Sequence, residues 1–192
     1  FTMRIGFFGG TFNPPHKGHE KIIDYCSDLF DELLIFPNIV SPDKKGHPPI
    51  DSKHRINMLE LIIKKNNIKV DAYEIMSELS NYTYYTVKYL LNKYKNCNLF
   101  MIIGKDQLLN LDNWYNIYFI IKNTDILCFD RTITSYNNQN RSSLYTNAQV
   151  VNFDFPFSSS CIREKIYKHE TVDTSLISKK VKDYIYAHNL YM

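Results

Sequence analysis

The residues best suited to chemistry lie close together near the amino terminus, where Gly9 and Gly10 precede His16 and His19. Consecutive glycines let the backbone turn without a Cβ and approach a ligand closely. Two histidines three residues apart at a helix start lie on one side, beside main-chain N–H groups that favour an anion. Gly-Gly alone is usually a turn and a single histidine is usually structural, but together they predict a nucleotide phosphate site. The spacing matches neither the dinucleotide-binding G-x-G-x-x-G pattern nor a P-loop, so both classes are set aside.

A strand and a helix must position this loop. Ile5, Phe7 and Phe8 form a short apolar run without helical spacing, which is typical of a strand buried on both faces. From Lys17 or Gly18 onward, apolar residues recur at the spacing of a helix face. The site is therefore predicted at the junction of a strand and a helix.

The same alternation of strand and helix continues to the end of the chain. Short apolar runs predict strands over 32–38, 68–73, 98–104, 125–130 and 150–153. Helical spacing predicts helices that begin near Asp51 or Ser52, within Asn81–Thr83, after Asp106, through Trp114 to Ile121, after Ser158–Ser160 and over Ser178–His188. Residues 39–50 and 131–148 are rich in loop-forming residues and are expected to be loops.

This order predicts an α/β protein with a parallel sheet flanked by helices. The chain has 192 residues and neither an internal repeat nor a linker-like gap, so we expect one domain over 1–192. Ligands bind at the carboxyl ends of strands in such sheets. Because Gly9, Gly10 and Gly104 all fall at strand ends, they are expected to face one crevice.

Composition limits the class of partner and compartment. A net charge of +3, without a stripe of basic and aromatic residues, argues against a polymeric nucleic acid partner. The four cysteines show no C-x-x-C spacing, which favours a reduced, cytoplasmic protein over a disulfide scaffold or zinc site. The sequence has no apolar stretch near ~18 residues and no signal-peptide pattern, so no membrane partner is expected.

The chain resembles the bacterial-type nicotinate mononucleotide adenylyltransferases. The matching segments are GGTFNPPHKGH, FPN, DSKHRINML, NYT, IIGKDQLLNLDNWY, FSSSCIREKI and YIYAHNLY. The first and fifth segments are specific in their order and spacing, whereas His-x-Gly-His alone indicates the wider nucleotidyltransferase superfamily. The resemblance implies a Rossmann-like core over 1–155 and a small helical segment over 156–192 that completes the ATP site.

The resemblance also implies the reaction. The 5′-phosphate of nicotinate mononucleotide would attack the α-phosphorus of ATP and give deamido-NAD and pyrophosphate, a step of NAD biosynthesis. Nicotinamide mononucleotide, which would give NAD, stays open as a second acceptor. Mg²⁺ is expected to arrive on the ATP phosphates, with no metal site built by the protein, since the sequence has no cluster of acidic residues. A monomer and a homodimer both stay open.

Particular residues match the family's functional positions. The catalytic set implied by the resemblance is His16, His19 and Arg163. The ATP-binding set is Gly9, Gly10, Thr11, Phe12, Lys44, Gly104, Asp106, Ser158, Ser159 and Ser160. The set implied for nicotinate mononucleotide is Asn38, Thr83, Trp114 and Tyr115, where Trp114 would stack on the pyridine ring.

Two other functions remain as alternatives. One is adenylyl transfer to a different phosphate such as phosphopantetheine, but the pantetheine arm has no ring to stack on Trp114. The other is a nucleotide-binding domain without turnover, and the intact His16, His19 and Arg163 argue against it.

Overall fold

The computed structural model of the protein describes residues 2–39, 49–79, 81–130 and 148–192. In this part of the chain six parallel strands form one sheet in the order β3-β2-β1-β4-β5-β6. The strands are β1 (Met3–Gly10), β2 (Glu32–Pro37), β3 (Ile68–Val70), β4 (Cys97–Gly104), β5 (Thr124–Asp130) and β6 (Gln149–Asn152). The expected α/β fold with a parallel sheet is confirmed.

Helices cover both faces of the sheet. They are α1 (Lys17–Ser27), α2 (Ser52–Ile62), α3 (Tyr73–Met76), α4 (Thr83–Lys93), α5 (Lys105–Leu109), α6 (Ile117–Asn123), α7 (Ser159–Tyr167) and α8 (Lys179–Ala187), with a 3₁₀ turn at Leu111–Asn113. Successive strand residues point to opposite faces, so Phe8 packs with α1, α2, α7 and α8, while Phe7 packs with α4, α5 and α6. The carboxyl-terminal helices thus belong to one of the two core layers.

The strand order places a crevice at the carboxyl ends of β1 and β4. From β1 the chain adds β2 and β3 on one side, and then β4, β5 and β6 on the other. The order of the strands therefore reverses between β1 and β4, and ligands bind at such switch points. Phe8 pairs with Ile102, so the ends of both strands, Gly10 and Gly104, meet at the same edge as expected.

Two predicted elements were wrong in extent. The strand predicted over 68–73 ends at Val70, because the Asp71 carboxylate accepts a hydrogen bond from the Tyr73 N–H at 3.0 Å and starts α3. The helix predicted through Trp114 begins only at Ile117, because Asn116 adopts a left-handed conformation with φ of 52°. Most of the predicted loops at 39–50 and 131–148 lies outside the described residues. Within the described ranges, all helices are too short or too polar to cross a bilayer.

Candidate active site

The loop after β1 forms one wall of the crevice. Gly10 ends the strand, and a Cβ there would lie 3.0 Å from the ring of Phe12, which is why glycine fits this position. Phe12 has a left-handed backbone (φ 49°), and its buried ring packs edge-on against His19 at 4.9 Å. The Phe12 side chain is therefore part of the core, so only its main chain can contribute to the predicted phosphate site.

His16 and His19 cap helix α1 reciprocally. The His16 N–H donates to Nδ1 of His19 at 3.1 Å, and the His19 N–H donates to Nδ1 of His16 at 3.4 Å. An imidazole nitrogen that accepts carries no hydrogen, so in this arrangement each neutral ring has its proton on Nε2. The helix cap thus fixes both histidines as Nε2–H donors, the form that suits phosphate oxygens.

Packing fixes the orientation of the two rings. They stack at 3.7 Å, and His16, which is only 2% exposed, also stacks on Phe155 at 5.1 Å. A Cβ on Gly18 would lie 2.6 Å from Phe155 and 2.9 Å from the His16 ring, so this position requires glycine. The His-x-Gly-His spacing is thereby explained: the glycine leaves room for the buried ring of the first histidine.

The start of α7 meets the same loop from the opposite end of the chain. Nη1 of Arg163 donates to the Asn13 carbonyl at 2.7 Å, and Nη2 donates to Oγ of Ser160 at 3.2 Å. Oγ of Ser159 donates to the Pro14 carbonyl at 2.8 Å, and Ser158 caps the helix by accepting from the Cys161 N–H. Arg163 and the three serines are thus brought to the loop that carries the histidines.

Gly104 and Asp106 lie together at the end of β4. A Cβ on Gly104 would lie 2.7 Å from Oδ1 of Asp106, so the carboxylate folds back over the glycine. The Gly104 N–H donates to Oε1 of Gln107 at 3.1 Å and starts α5. Asp106 is exposed at the sheet edge, where a carboxylate can accept from ribose hydroxyls.

A pocket beside the crevice gathers all four residues predicted to bind the mononucleotide. Asn38, Thr83, Trp114 and Tyr115 line it together with Gly9 at the end of β1. Oδ1 of Asn38 is buried and has no hydrogen-bond partner among the described residues, as expected for an acceptor that a ligand would satisfy. The pocket wall formed by Trp114 and Tyr115 is aromatic and suits a flat heterocycle.

Two polar residues of this pocket were not predicted from the sequence. Glu74 lies in α3 and accepts a hydrogen bond from Oγ1 of Thr86 at 2.7 Å. Asn81, with its amide oriented to satisfy both partners, donates to the Glu74 carbonyl at 2.8 Å and accepts from the Ile39 N–H at 2.9 Å. No element was predicted between the strand at 68–73 and the helix start within Asn81–Thr83, so the sequence carried no signal that Glu74 would face the pocket.

Burial changes the chemistry of Glu74. Loss of solvation raises the pKa of its carboxyl to about 7, the Thr86 hydroxyl opposes this shift, and the nearby Asp71 carboxylate adds to it. A carboxyl that stays protonated near neutral pH adds no full negative charge to a pocket expected to receive an anion. The folded protein therefore holds this proton over a pH range in which the unfolded chain releases it.

We expect Glu74→Gln to change how stability depends on pH. A group whose pKa is raised on folding stabilises the protein below its unfolded pKa, near 4.5, and this contribution is lost as pH rises toward 7. The free energy of unfolding of the wild type should therefore fall relative to that of the variant by roughly 2 kcal/mol between pH 5 and pH 8. Urea unfolding at both pH values measures this, with exposed Glu78→Gln as the control. Parallel pH profiles for the wild type and Glu74→Gln would contradict the expectation.

Of the remaining predicted residues, Thr11 lies in the loop after β1, where its carbonyl accepts a hydrogen bond at 2.7 Å from Nη1 of Arg55 on α2. Lys44 lies outside the described residues. Arg55 was not predicted as a site residue. The roles of the predicted residues toward substrates stay predictions at this point.

The parallel sheet and the segment from Gly9 to His19 together define a nucleotidyltransferase with a Rossmann-like fold. The family described as "Cytidylyltransferase-like" matches residues 7–165 of the chain. The nicotinate-nucleotide adenylyltransferase of Bacillus subtilis is 35% identical over 98% of both chains. A probable nicotinate-nucleotide adenylyltransferase of Aliarcobacter butzleri is 30% identical over 94% of both. The chain therefore belongs to the nicotinate-nucleotide adenylyltransferase family, and the resemblance noted in the sequence is confirmed.

Solved structures support the same fold. The nicotinic acid mononucleotide adenylyltransferase of Plasmodium falciparum, complexed with NaAD, superimposes with a TM-score of 0.80 at 22% identity, covering 98% of this chain and 97% of that one. A putative nicotinate-nucleotide adenylyltransferase from Vibrio parahaemolyticus gives a TM-score of 0.70 at 19% identity, covering 98% and 95%. At these identities the likeness establishes the fold alone.

Proposed function

We propose that the protein transfers the adenylyl group of Mg²⁺-bound ATP to nicotinate mononucleotide, giving deamido-NAD and pyrophosphate for NAD biosynthesis. The observation that carries the proposal is the adjacency of two sites at one sheet edge. The segment from the end of β1 to His19, which is suited to phosphates, begins beside Gly9, and Gly9 also lines the aromatic pocket suited to a pyridine ring. Membership of the family supports the same reaction.

The ATP half of the site is assigned to the loop after β1 and the start of α7. We propose that His16, His19 and Arg163 hold the triphosphate, aided by Gly9, by the main-chain N–H groups of residues 10–12 and by Ser158–Ser160. Gly104 and Asp106 would hold the adenosine ribose. This assignment gives residues 156–192 a function in the same domain as the core, because Arg163 and Ser159 already hydrogen-bond to the loop after β1.

The mononucleotide half is assigned to the aromatic pocket. Trp114 would stack on the pyridine ring, while the main-chain N–H groups of Thr83 and Tyr115 would donate to its carboxylate. The unpartnered Oδ1 of Asn38 would accept from the ligand. Lys44 remains assigned to ATP on the resemblance alone.

Direct transfer between two bound substrates suits this arrangement. A 5′-phosphate oxygen of the mononucleotide forms a bond to the α-phosphorus of ATP, and the bond from that phosphorus to the β-phosphate oxygen breaks, releasing pyrophosphate. The attacking phosphate is already an oxyanion, so no general base is required. The protein's contribution is to align two mutually repelling anions and to place Nε2–H and guanidinium donors around the charge that develops.

Mg²⁺ fits this scheme as part of the substrate. The described residues contain no group of three or more His, Cys, Asp or Glu side chains able to hold a metal. Mg²⁺ usually keeps several waters and is bound through substrate phosphates. We expect the protein to act in a reducing compartment such as the cytoplasm, since its sequence lacks the cysteine pattern of a disulfide scaffold. A monomer and a homodimer both stay open.

A pyrophosphate-release assay tests the proposed reaction. Pyrophosphate and deamido-NAD should form from ATP only when nicotinate mononucleotide is present. Turnover with phosphopantetheine instead would favour the related transferase, and nucleotide binding without turnover would favour a domain that has lost catalysis. The aromatic pocket argues against the first of these alternatives.

We expect the protein to prefer the acid over the amide. Main-chain N–H groups can only donate, so they match both oxygens of a carboxylate, whereas the NH₂ of an amide would face them as a second donor. Leaving one such donor unsatisfied costs ~1–3 kcal/mol, so kcat/KM should be roughly 10- to 100-fold higher for nicotinate than for nicotinamide mononucleotide. Parallel steady-state kinetics measure the ratio, and equal values would refute this preference.

A further inference from the structure

A buried arginine outside the proposed contact residues connects the two halves of the site. Arg55 lies on α2, is 2% exposed, and is among the largest fully buried side chains among the residues described. Its Nη1 donates to the Thr11 carbonyl at 2.7 Å and to the Asn38 carbonyl at 2.6 Å, and its Nε donates to the Ile50 carbonyl at 3.1 Å. One nitrogen thus joins the loop after β1 to the segment after β2.

The charge of Arg55 is not explained by an ion pair. In the described ranges no carboxylate lies within 4.0 Å of its guanidinium, and burial lowers its pKa below the ordinary arginine value. The Asp51 carboxylate lies beyond ion-pair distance and only partly opposes this lowering of the Arg55 pKa. Burying a cation without a direct ion-pair partner is costly, and neutral donors would satisfy carbonyls at lower cost. Anionic substrates bound at the two segments that Arg55 contacts would offset more of that cost.

A second hydrogen bond joins the same two segments. The Asn38 N–H donates to the Gly10 carbonyl at 2.9 Å, which continues the pairing of Gly10 with Pro37. Residues 10–11 and residue 38 are therefore joined by two separate contacts, of which Arg55 supplies the one that includes Thr11. Tyr191 and Arg163 hold the loop after β1 from its other side, at Asn13, without touching Asn38.

We propose that Arg55 is a positioning residue that couples the ATP loop to the mononucleotide segment, so that binding of either substrate promotes binding of the other. This inference rests on the proposed function. Ordering of the loop at Thr11 by ATP fixes the Asn38 carbonyl through the shared Nη1, and the reverse holds for the mononucleotide. Because such coupling is reciprocal, each substrate must raise the affinity of the other by the same factor.

Calorimetric titration measures the coupling directly. Nicotinate mononucleotide is titrated with and without saturating α,β-methylene-ATP, which cannot transfer its adenylyl group. We expect the analogue to raise the affinity of the wild type about 10-fold, within the usual range of such couplings. Arg55→Lys keeps the positive charge but lacks the planar guanidinium that donates in fixed directions. This variant should reduce the coupling factor to below about twofold. A wild type without coupling, or a folded Arg55→Lys protein with the full factor, would overturn the proposal.

Tyr191→Phe provides the matched control. This change removes the 2.8 Å hydrogen bond from the Tyr191 hydroxyl to Oδ1 of Asn13 and leaves the three hydrogen bonds of Arg55 in place. We expect it to weaken binding of the ATP analogue while the coupling factor stays near the wild-type value, because the link from Thr11 to Asn38 is intact. Loss of the coupling factor in Tyr191→Phe would show that any loosening of the loop has this effect, and would overturn the role given to Arg55.

A wild-type experiment keeps the proposal testable if Arg55 variants do not fold. Hydrogen exchange at the amide of Asn38 is followed with and without α,β-methylene-ATP, in the absence of mononucleotide. The proposal expects slower exchange at Asn38, and unchanged exchange would overturn it. Failure of pyrophosphate release would reject the proposed reaction, whereas turnover without coupling would reject only the role of Arg55.

Discussion

His19→Ala should lower kcat for adenylyl transfer by at least ~100-fold. Its Nε2–H is a donor fixed in place by the helix cap and by stacking on His16, and loss of one preorganised charge-stabilising donor costs this order of rate. The KM values should change less, because the developing charge is largest in the transition state. Single-turnover measurement of pyrophosphate release separates this effect from product release.

A matched histidine change provides the control. His188 is exposed at the end of α8, hydrogen-bonds to the Tyr184 carbonyl at 2.9 Å and packs against the rings of Tyr184 and His54. His188→Ala should leave kcat within about twofold of the wild type. A loss smaller than threefold in His19→Ala would contradict the catalytic role proposed for this imidazole.

Arg163→Ala should lower kcat/KM for ATP by about 50-fold. Hydrogen bonds from a charged donor contribute roughly 1.5–3 kcal/mol each, and the variant also loses the bond that holds the Asn13 carbonyl. Arg163→Lys keeps the positive charge, but its single ammonium cannot contact the phosphates, Asn13 and Ser160 at once as a guanidinium can. We therefore expect an intermediate loss of kcat/KM for ATP. Steady-state kinetics at varied ATP measure both variants, and a change below threefold in Arg163→Ala would exclude this arginine from the ATP site.

The features that the sequence predicted well are those that depend on neighbours along the chain. The strand ending at Gly9 and Gly10, the helix beginning at Lys17 and the pairing of His16 with His19 follow from residue types at short spacing. Gly18 between the histidines could be recognised in the same way, although the reason for it, the nearby Phe155 ring, comes from a segment far along the chain.

The features that were missed depend on contacts between distant segments. The helix predicted to begin near Asp51 or Ser52 is present as α2, and its buried residues are Arg55, Met58, Leu59 and Ile62. Arg55 lies three residues before Met58 and four before Leu59, so it shares their helix face. This spacing was the signal in the sequence that Arg55 would be buried. Nothing local indicates that its partners would be the carbonyls of Thr11 and Asn38. Glu74 was missed because no helix was predicted after the strand at 68–73, whereas α3 begins beside the hydrogen bond that the Tyr73 N–H donates to the Asp71 carboxylate.

The stereochemistry at the α-phosphorus of ATP tests the central claim most directly. If the loop and the pocket hold both substrates for direct attack, the reaction is a single in-line displacement and inverts the configuration at that phosphorus. ATP carrying a chiral thiophosphate at the α position, turned over with nicotinate mononucleotide, reports this configuration in the dinucleotide product. Inversion is the predicted result. Retention would show two displacements through an adenylylated protein group and would contradict the account.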